Sequence, residues 1–266
     1  MQFVNTFTNM RTAMASPNEA AATHPAADIL PAPEDKHRYV REMFDAIAPR
    51  YDLLNSILSL RLHHRWRAAA VRAAALRPGD RALDVCTGTG DLAFALARAV
   101  GPKGGVDATD FSESMLGLAR VKQAKRADAA KVRFSAADTQ ALPFPDGAYR
   151  AATVAFGIRN VADIDRGLRE MARVVERGGR VVLLEFNRPR VCWFAALHGL
   201  YSRALMPLLG GWISGRRSAY AYLPASVDAF HSREELARKM EAAGLRSVVW
   251  HDLLLGAVVL HVGEKA

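Results

Sequence analysis

Asp84-Val-Cys-Thr-Gly-Thr-Gly-Asp91 constrains this chain more than any other stretch. A short apolar run, Arg81 to Cys86, leads into it, and a helical pattern, Leu92 to Val100, leads out. Strand, tight glycine turn and helix in that order form a nucleotide-binding loop at the edge of an α/β sheet. Gly88 and Gly90 permit backbone angles that a Cβ disfavours and let a ligand approach the chain closely. Gly88-Thr-Gly90 followed by Ala93 also satisfies a permissive dinucleotide pattern, but Asp84, four residues before Gly88, is an acid such a loop does not need. A turn with no ligand remains the plain structural alternative.

The pattern Asp-x-x-x-Gly-x-Gly, with Asp84, Gly88, Thr89 and Gly90, resembles the first motif of class I S-adenosylmethionine (SAM) methyltransferases. The ligand such a loop faces is a sulfonium amino acid, beside which carboxylates are useful. The fold this implies is a Rossmann-like α/β sheet, mostly parallel with one antiparallel edge strand, preceded by N-terminal helices and carrying a helical lid insertion. The remaining chain reads accordingly. Strands are expected over 105–109, 131–136, 151–156 and 180–186, helices over 164–175 and 233–243, and a closing hairpin over 245–253 and 256–263. Asp110, twenty residues after Gly90, ends the second strand, where an acid hydrogen-bonds the two hydroxyls of a ribose. Its alternative role is to cap the helix that starts near Ser112. Asp107 lies inside the strand and is the weaker choice. Asp138 and Thr139 follow the third strand, where the resemblance implies contact with the adenine edge; turn formation is the alternative for Asp138.

Between Lys36 and Trp66 the period is helical, broken at Pro49, with Tyr39, Val40, Met43, Phe44 and Ile47 on one stripe. The second part, Tyr51 to Trp66, sets Tyr51, Asp52, Asn55, Ser59 and His63 on an otherwise apolar face. Together they resemble the first signature of the UbiE/MenG family of quinone C-methyltransferases, with Leu54 where Met is usual. Arg173 to Asn187 resembles its second signature, with Glu176-Arg177 in place of lysine-proline and Asn187 in place of serine. Phe156-Gly-Ile-Arg-Asn-Val161 and Leu260-His-Val-Gly263 are also similar, so the likeness runs from about Val40 to the C-terminus.

This resemblance implies SAM-dependent methylation of a ring carbon of a prenylated quinol. The loop resembles the demethylmenaquinone enzymes more than the ubiquinone-pathway members. Reduced demethylmenaquinone is therefore the expected substrate, and 2-methoxy-6-polyprenyl-1,4-benzoquinol the alternative. Arg159 and Asn160 follow strand four, at the sheet edge where ligands of open α/β folds bind. Arg159 is a candidate for holding a quinol oxygen, and being permanently protonated it is no base. Tyr51 and His63 are candidates for orienting the ring and moving protons, with His198 and His231 behind them and water as a further acceptor. A NAD-dependent oxidoreductase and a non-catalytic SAM- or quinone-binding scaffold are the readings from other classes. Asp84 opposes the first and the intact loop the second.

Composition bounds the rest. The chain has 266 residues, half of them apolar, which suits a single α/β domain over 35–266 with an insertion over 188–224. Residues 1–34, rich in Ala, Pro and Thr, are expected to be disordered; a bacterial extension, a start upstream of Met14 or a transit peptide would each account for them. The apolar runs at 191–200 and 204–213 are too short and interrupted to span a bilayer. Two cysteines, Cys86 and Cys192, offer no metal-ligand spacing, and no metal is expected. The net charge of +9 favours an anionic surface. No nucleic-acid-binding signature accompanies it, whereas 188–217 interleaves arginines with Trp193, Phe194, Leu197 and Trp212 in the manner of a membrane-surface helix. The expectation is a cytoplasmic protein held peripherally at the membrane, or else a buried cap over the core; assembly as a homodimer stays open.

Overall fold

The computed structural model describes residues 30–32, 35–126, 132–205 and 217–266, without the side chains of 203, 205 and 217–221. Most of the N-terminal segment expected to be disordered, Lys131 and Trp212 lie outside the described residues.

The sheet grows from β1 (Arg81–Val85), which has strands on both sides and whose apolar residues are buried on both faces because helices pack on each. Parallel to it lie β2 (Gly105–Asp110), then β3 (Val132–Ala136), on one side, and β4 (Tyr149–Ala155), then β5 (Val175–Phe186), on the other. The antiparallel pairing is confined to the far side, where β7 (Val258–Lys265) runs between β5 and β6 (Leu245–Leu253). The order β3-β2-β1-β4-β5-β7-β6 reverses direction between β1 and β4. Ligands of open α/β sheets bind at that switch point, beyond the carboxyl ends of the strands.

Helices cover both faces. α3 (Leu62–Ala73) and α4 (Asp91–Val100) bury Trp66, Ala70, Phe94 and Leu96 against one face. α6 (Ile164–Val174) and α9 (Arg233–Ala242) bury Leu168, Met171, Leu236 and Met240 against the other. α5 (Glu113–Ala124) is capped by Ser112, whose hydroxyl accepts from the Met115 N–H, and α9 by a reciprocal Ser232–Glu235 box. α7 (Cys192–Leu200) and α8 (Arg217–Asp228) belong to the segment expected as the insertion.

The N-terminal region departs from its sequence reading. α1 (Lys36–Ile47) passes through a 3₁₀ turn containing Pro49 directly into α2 (Tyr51–Leu58). The helical period from Tyr51 to Trp66 does not make one helix. Leu60 and Arg61 take φ of 49° and 61°, left-handed values that end α2 and redirect the chain into α3. The alanine-rich stretch after Trp66 continues α3 as far as Ala73. The break frees α2 to cross the sheet edge while α3 packs on the core.

Candidate functional site

The turn after β1 is left-handed at Cys86, Gly88 and Gly90, with φ of 50°, 55° and 84°. Hydrogen bonds close it: the Thr87 N–H donates to Thr109 O at 2.9 Å and the Gly90 N–H to Thr87 O at 3.0 Å. Two buried carboxyls brace it from below. Asp84 accepts from the hydroxyls of Thr87 at 2.6 Å and Thr153 at 2.7 Å. Asp110 accepts from the Gly88 N–H at 2.8 Å and the Ser112 N–H at 2.9 Å. Desolvation pushes both carboxyls up to about 6, partly offset by these donors. The cap of α5 is Ser112, so Asp110 is engaged with the loop backbone and helix entry together. Asp107 is spent elsewhere, between Arg81, Arg133 and the Tyr149 hydroxyl.

Above the loop lies a narrow cavity of about 60 Å³, walled by Asp84, Gly88, Thr89, Asp110, Asp138 and Thr139, with Asn160 and Tyr51 completing it. Asp138 is exposed, and its carboxylate accepts from the Gln140 N–H at 2.9 Å, so it also makes the turn that was its alternative reading. Thr139 is buried, its hydroxyl 3.4 Å from the Cys86 thiol.

α1 and α2 close over this cavity through polar contacts. Thr89 Oγ1 donates to Asp52 at 2.6 Å, and Lys122 of α5 reaches Asp52 at 2.9 Å and Asp91 at 2.7 Å. Ser112 donates to Asp45 of α1 at 2.6 Å, and Lys36 donates to the Val161 carbonyl at 3.0 Å. The N-terminal helices are thereby clasped to the carboxyl ends of β1, β2 and β4.

Behind the clasp opens a second cavity of about 930 Å³, lined mainly by apolar side chains of α1, α2, α3 and α7 together with Phe156 and Phe186. Phe44, Tyr51, Arg67 and Phe156 belong to the walls of both cavities. Desolvation raises the Tyr51 phenol above its ordinary range, so it holds its proton at neutral pH.

The expected residues divide between the two spaces. Asp84, Gly88, Thr89, Gly90 and Asp110 are gathered at the loop, with Asp138, Thr139 and Asn160 beside it. Arg159 and His63 face the larger chamber, as does His198, while His231 lines neither. Arg159 is buried and its charge is already matched: Nη1 donates to Glu185 at 2.6 Å and to the Phe156 carbonyl at 2.7 Å. Asn160 Oδ1 accepts from the Tyr222 hydroxyl at 3.1 Å. His63 is held neutral, its pKa lowered to about 4 by burial and by the Arg67 and His64 charges. Its Nδ1 accepts from Arg67 Nη1, which leaves the ring proton on Nε2, 3.4 Å from Ser56 Oγ. Both nitrogens are thus occupied, an arrangement that holds Arg67 in place and leaves no free lone pair for a proton.

Arg67 and Glu185 escaped the sequence reading, though each left a signal. Arg67 follows His63 by four residues, one helical turn on the same face. Glu185 is a lone acid in the apolar run Val181 to Phe186, where a charge needs a buried partner.

Sheet order, loop and cavity position together define a class I methyltransferase fold. Solved structures agree at the level of fold. A SAM-dependent methyltransferase from Aquifex aeolicus superposes with a TM-score of 0.56 at 19% identity, over 75% of this chain and 89% of that one. The [4+2]-cyclase SpnF does so with a TM-score of 0.65 at 19% identity, over 89% and 97%.

Within that class the chain belongs to the ubiE/COQ5 methyltransferase family, whose model matches residues 33–265. It is 47% identical over 223 residues to the demethylmenaquinone methyltransferase of Thermus thermophilus, covering 84% of this chain and all of that protein. It is 42% identical over 231 residues to the ubiquinone/menaquinone biosynthesis C-methyltransferase UbiE of Geobacter sulfurreducens, covering 87% and 90%.

The loop cavity suits SAM chemically. Two carboxylates stand beside a bare glycine backbone, where a sulfonium, an ammonium and a ribose diol all gain from acceptors. A Cβ on Gly88 would lie 4.0 Å from Tyr51 Cε1, so the space over the loop is open for a ligand to approach.

Proposed function

We propose that the protein transfers the methyl group of SAM to a ring carbon of reduced demethylmenaquinone, a prenylated naphthoquinol. The observation that carries this reading is the adjacency of the two cavities. A polar, carboxylate-lined one at the glycine loop shares Tyr51, Arg67 and Phe156 with a large apolar one that suits a quinol ring and prenyl chain. Asp84, Gly88, Thr89, Gly90 and Asp110 would hold SAM, with Asp138 and Thr139 at the adenine edge. SAM supplies an electrophilic methyl group, and the protein aligns the ring carbon with it.

Tyr51, with its proton retained, donates toward a ring oxygen, and Asn160 is positioned by Tyr222 to orient the substrate. Arg159, paired with Glu185, shapes the chamber wall. The proton released from the methylated carbon passes to water, since His63 has no free lone pair. The names of the two relatives support the naphthoquinol, and that of the second also keeps the benzoquinol as the other reading.

We further read the chamber mouth as a lipid-facing surface. Leu60 on the α2–α3 turn, Leu197 and Leu200 on α7, and Leu254 between β6 and β7 line the chamber and are exposed, as are their sequence neighbours Trp193 and Leu255, with Arg61, Arg65 and Arg188 nearby in sequence and also exposed. Exposed aromatic and aliphatic groups beside arginines favour an anionic bilayer. Among the described residues no helix is long and apolar enough to cross a membrane.

Labelled SAM offered with reduced demethylmenaquinone, and separately with the demethylated benzoquinol, tests the reaction. Label in the naphthoquinol product is expected. Label only in the benzoquinol would move the protein to the other pathway, and SAM binding without transfer to either would leave a scaffold.

A further inference from the structure

A ring carbon of a quinol becomes a competent nucleophile when one hydroxyl ionises, and the ionised oxygen needs a cation nearby. The chamber walls contain two buried guanidiniums. Arg159 is placed at the sheet edge, but Glu185 lies 2.6 Å from its Nη1, with both side chains almost fully buried. In a low-dielectric interior that carboxylate satisfies most of the charge. Arg67 differs. Among the described residues its guanidinium hydrogen-bonds through Nη1 to the neutral ring of His63, and its nearest carboxylate is Asp91 at 3.8 Å. Asp91 is itself bound more closely, at 2.7 Å, by Lys122. The remaining Arg67 contact is with the Phe156 ring, 5.9 Å from the guanidinium carbon to the centroid. Arg67 also lies in the wall shared by the two cavities, where the reacting carbon must meet the methyl group.

We propose that Arg67 is the cation that binds the ionising quinol oxygen, and that His63 is a positioning residue that aims it. This rests on the quinol-methylation reading of the same site. The quinol hydroxyl loses its proton to solvent, and the oxygen is held by Arg67. The electron pair of the ring then forms the carbon–carbon bond as the carbon–sulfur bond breaks, leaving a neutral thioether. The methylated carbon gives its proton to water, the ring recovers its aromatic electrons, and the quinol oxygen takes a proton back from solvent. One proton is released overall.

The titratable and charged groups facing Arg67 are His63 on α3 with His64 behind it, Tyr51 of α2, Asp84 of β1 and Asp91 of α4. Of these, Tyr51 keeps its proton and His63 stays neutral across the working range, so neither supplies an alternative cation.

The test compares wild type, Arg67→Gln and Arg67→Lys, as full chains, using a short-prenyl demethylmenaquinol and labelled SAM at saturation. The readouts are kcat from pH 6 to 9, SAM Kd and thermal melting. Arg67→Gln is expected to lower kcat at pH 7 by about 10²-fold, the scale of losing one oxyanion donor, with SAM Kd changed less than about threefold. Its rate should climb with pH further than wild type, because ionisation of the quinol is no longer assisted. Arg67→Lys should recover part of the loss; if Arg67→Gln does not fold, a Lys variant that folds with wild-type kcat and pH profile overturns the proposal. A folded Arg67→Gln enzyme with wild-type kcat, an unshifted pH profile or a loss confined to SAM affinity overturns it as well. Absence of methyl transfer by wild type would instead sink the quinol reading, and this proposal with it.

Discussion

Asp52 of α2 accepts a 2.6 Å hydrogen bond from Thr89, the residue between the two loop glycines. Lys122 bridges the same Asp52 to Asp91 at the start of α4. A side chain 37 residues upstream of the loop therefore decides whether the loop is covered. Asp52→Ala should loosen the cover, raising SAM Kd about tenfold through faster release. Folding stability should fall by no more than about 1 kcal/mol, because the ion pair is half exposed. Stopped-flow dissociation of SAM alongside thermal melting separates the two, and an unchanged off-rate would dissociate α2 from cofactor retention.

Asp84 and Asp110 both carry carboxyls pushed up to about 6. A raised acid binds its proton more tightly in the folded state, so its contribution to stability is present below the unfolded value, near 4, and is lost as pH rises through about 6. SAM affinity should move oppositely, falling as pH drops through about 6, since protonation removes the acceptors that a cation and a ribose need. Calorimetric titration of SAM between pH 5 and 8 checks this. Asp84→Asn should flatten the dependence, and a pH-independent Kd in the wild type would contradict the assignment.

Glu185→Gln should cost about 3–5 kcal/mol, because it strands the buried Arg159 charge. The double variant Glu185→Gln with Arg159→Met should regain much of that loss. Urea unfolding of the four proteins in the cycle measures the coupling, and a single variant within about 1 kcal/mol of wild type would show the pair to be dispensable.

Gly157, at the turn after β4, would with an added Cβ meet Cys86 Cβ at 2.4 Å. Gly157→Ala should therefore destabilise by about 1–3 kcal/mol through overpacking at the base of the glycine loop, and weaken SAM binding as the loop shifts. Gly117 has open space around it and provides the control.

Trp193 is two-thirds exposed on α7, next to Phe194, which lines the chamber. Trp193→Ser combined with Leu197→Ser should reduce co-sedimentation with anionic vesicles several-fold while leaving SAM affinity unchanged. Equal sedimentation would remove α7 from lipid contact.

Much of this was legible in the residues. The loop, the strand and helix order, the hairpin near the C-terminus and the placing of Asp110 at a strand end follow from glycine backbone freedom and from apolar periodicity, both of which act over a few residues. The break at Leu60 and Arg61 was not legible. Both are ordinary helix formers, and their left-handed conformation is imposed where α2 must cross the loop and α3 must pack on the sheet.

The sequence by itself determined the class of fold, the position of the glycine loop and the acids beside it, because each depends on local backbone chemistry. Only the tertiary structure decided how the charged side chains pair. Glu185 comes to Arg159 from the next strand, and Lys122 to Asp52 from a helix 70 residues away. That pairing leaves Arg67, in the wall between the cavities, with a carboxylate no nearer, among the described residues, than Asp91 at 3.8 Å, which it shares with Lys122. A buried charge takes its partner from whatever the fold brings within a few ångströms, and distance along the chain carries no record of it.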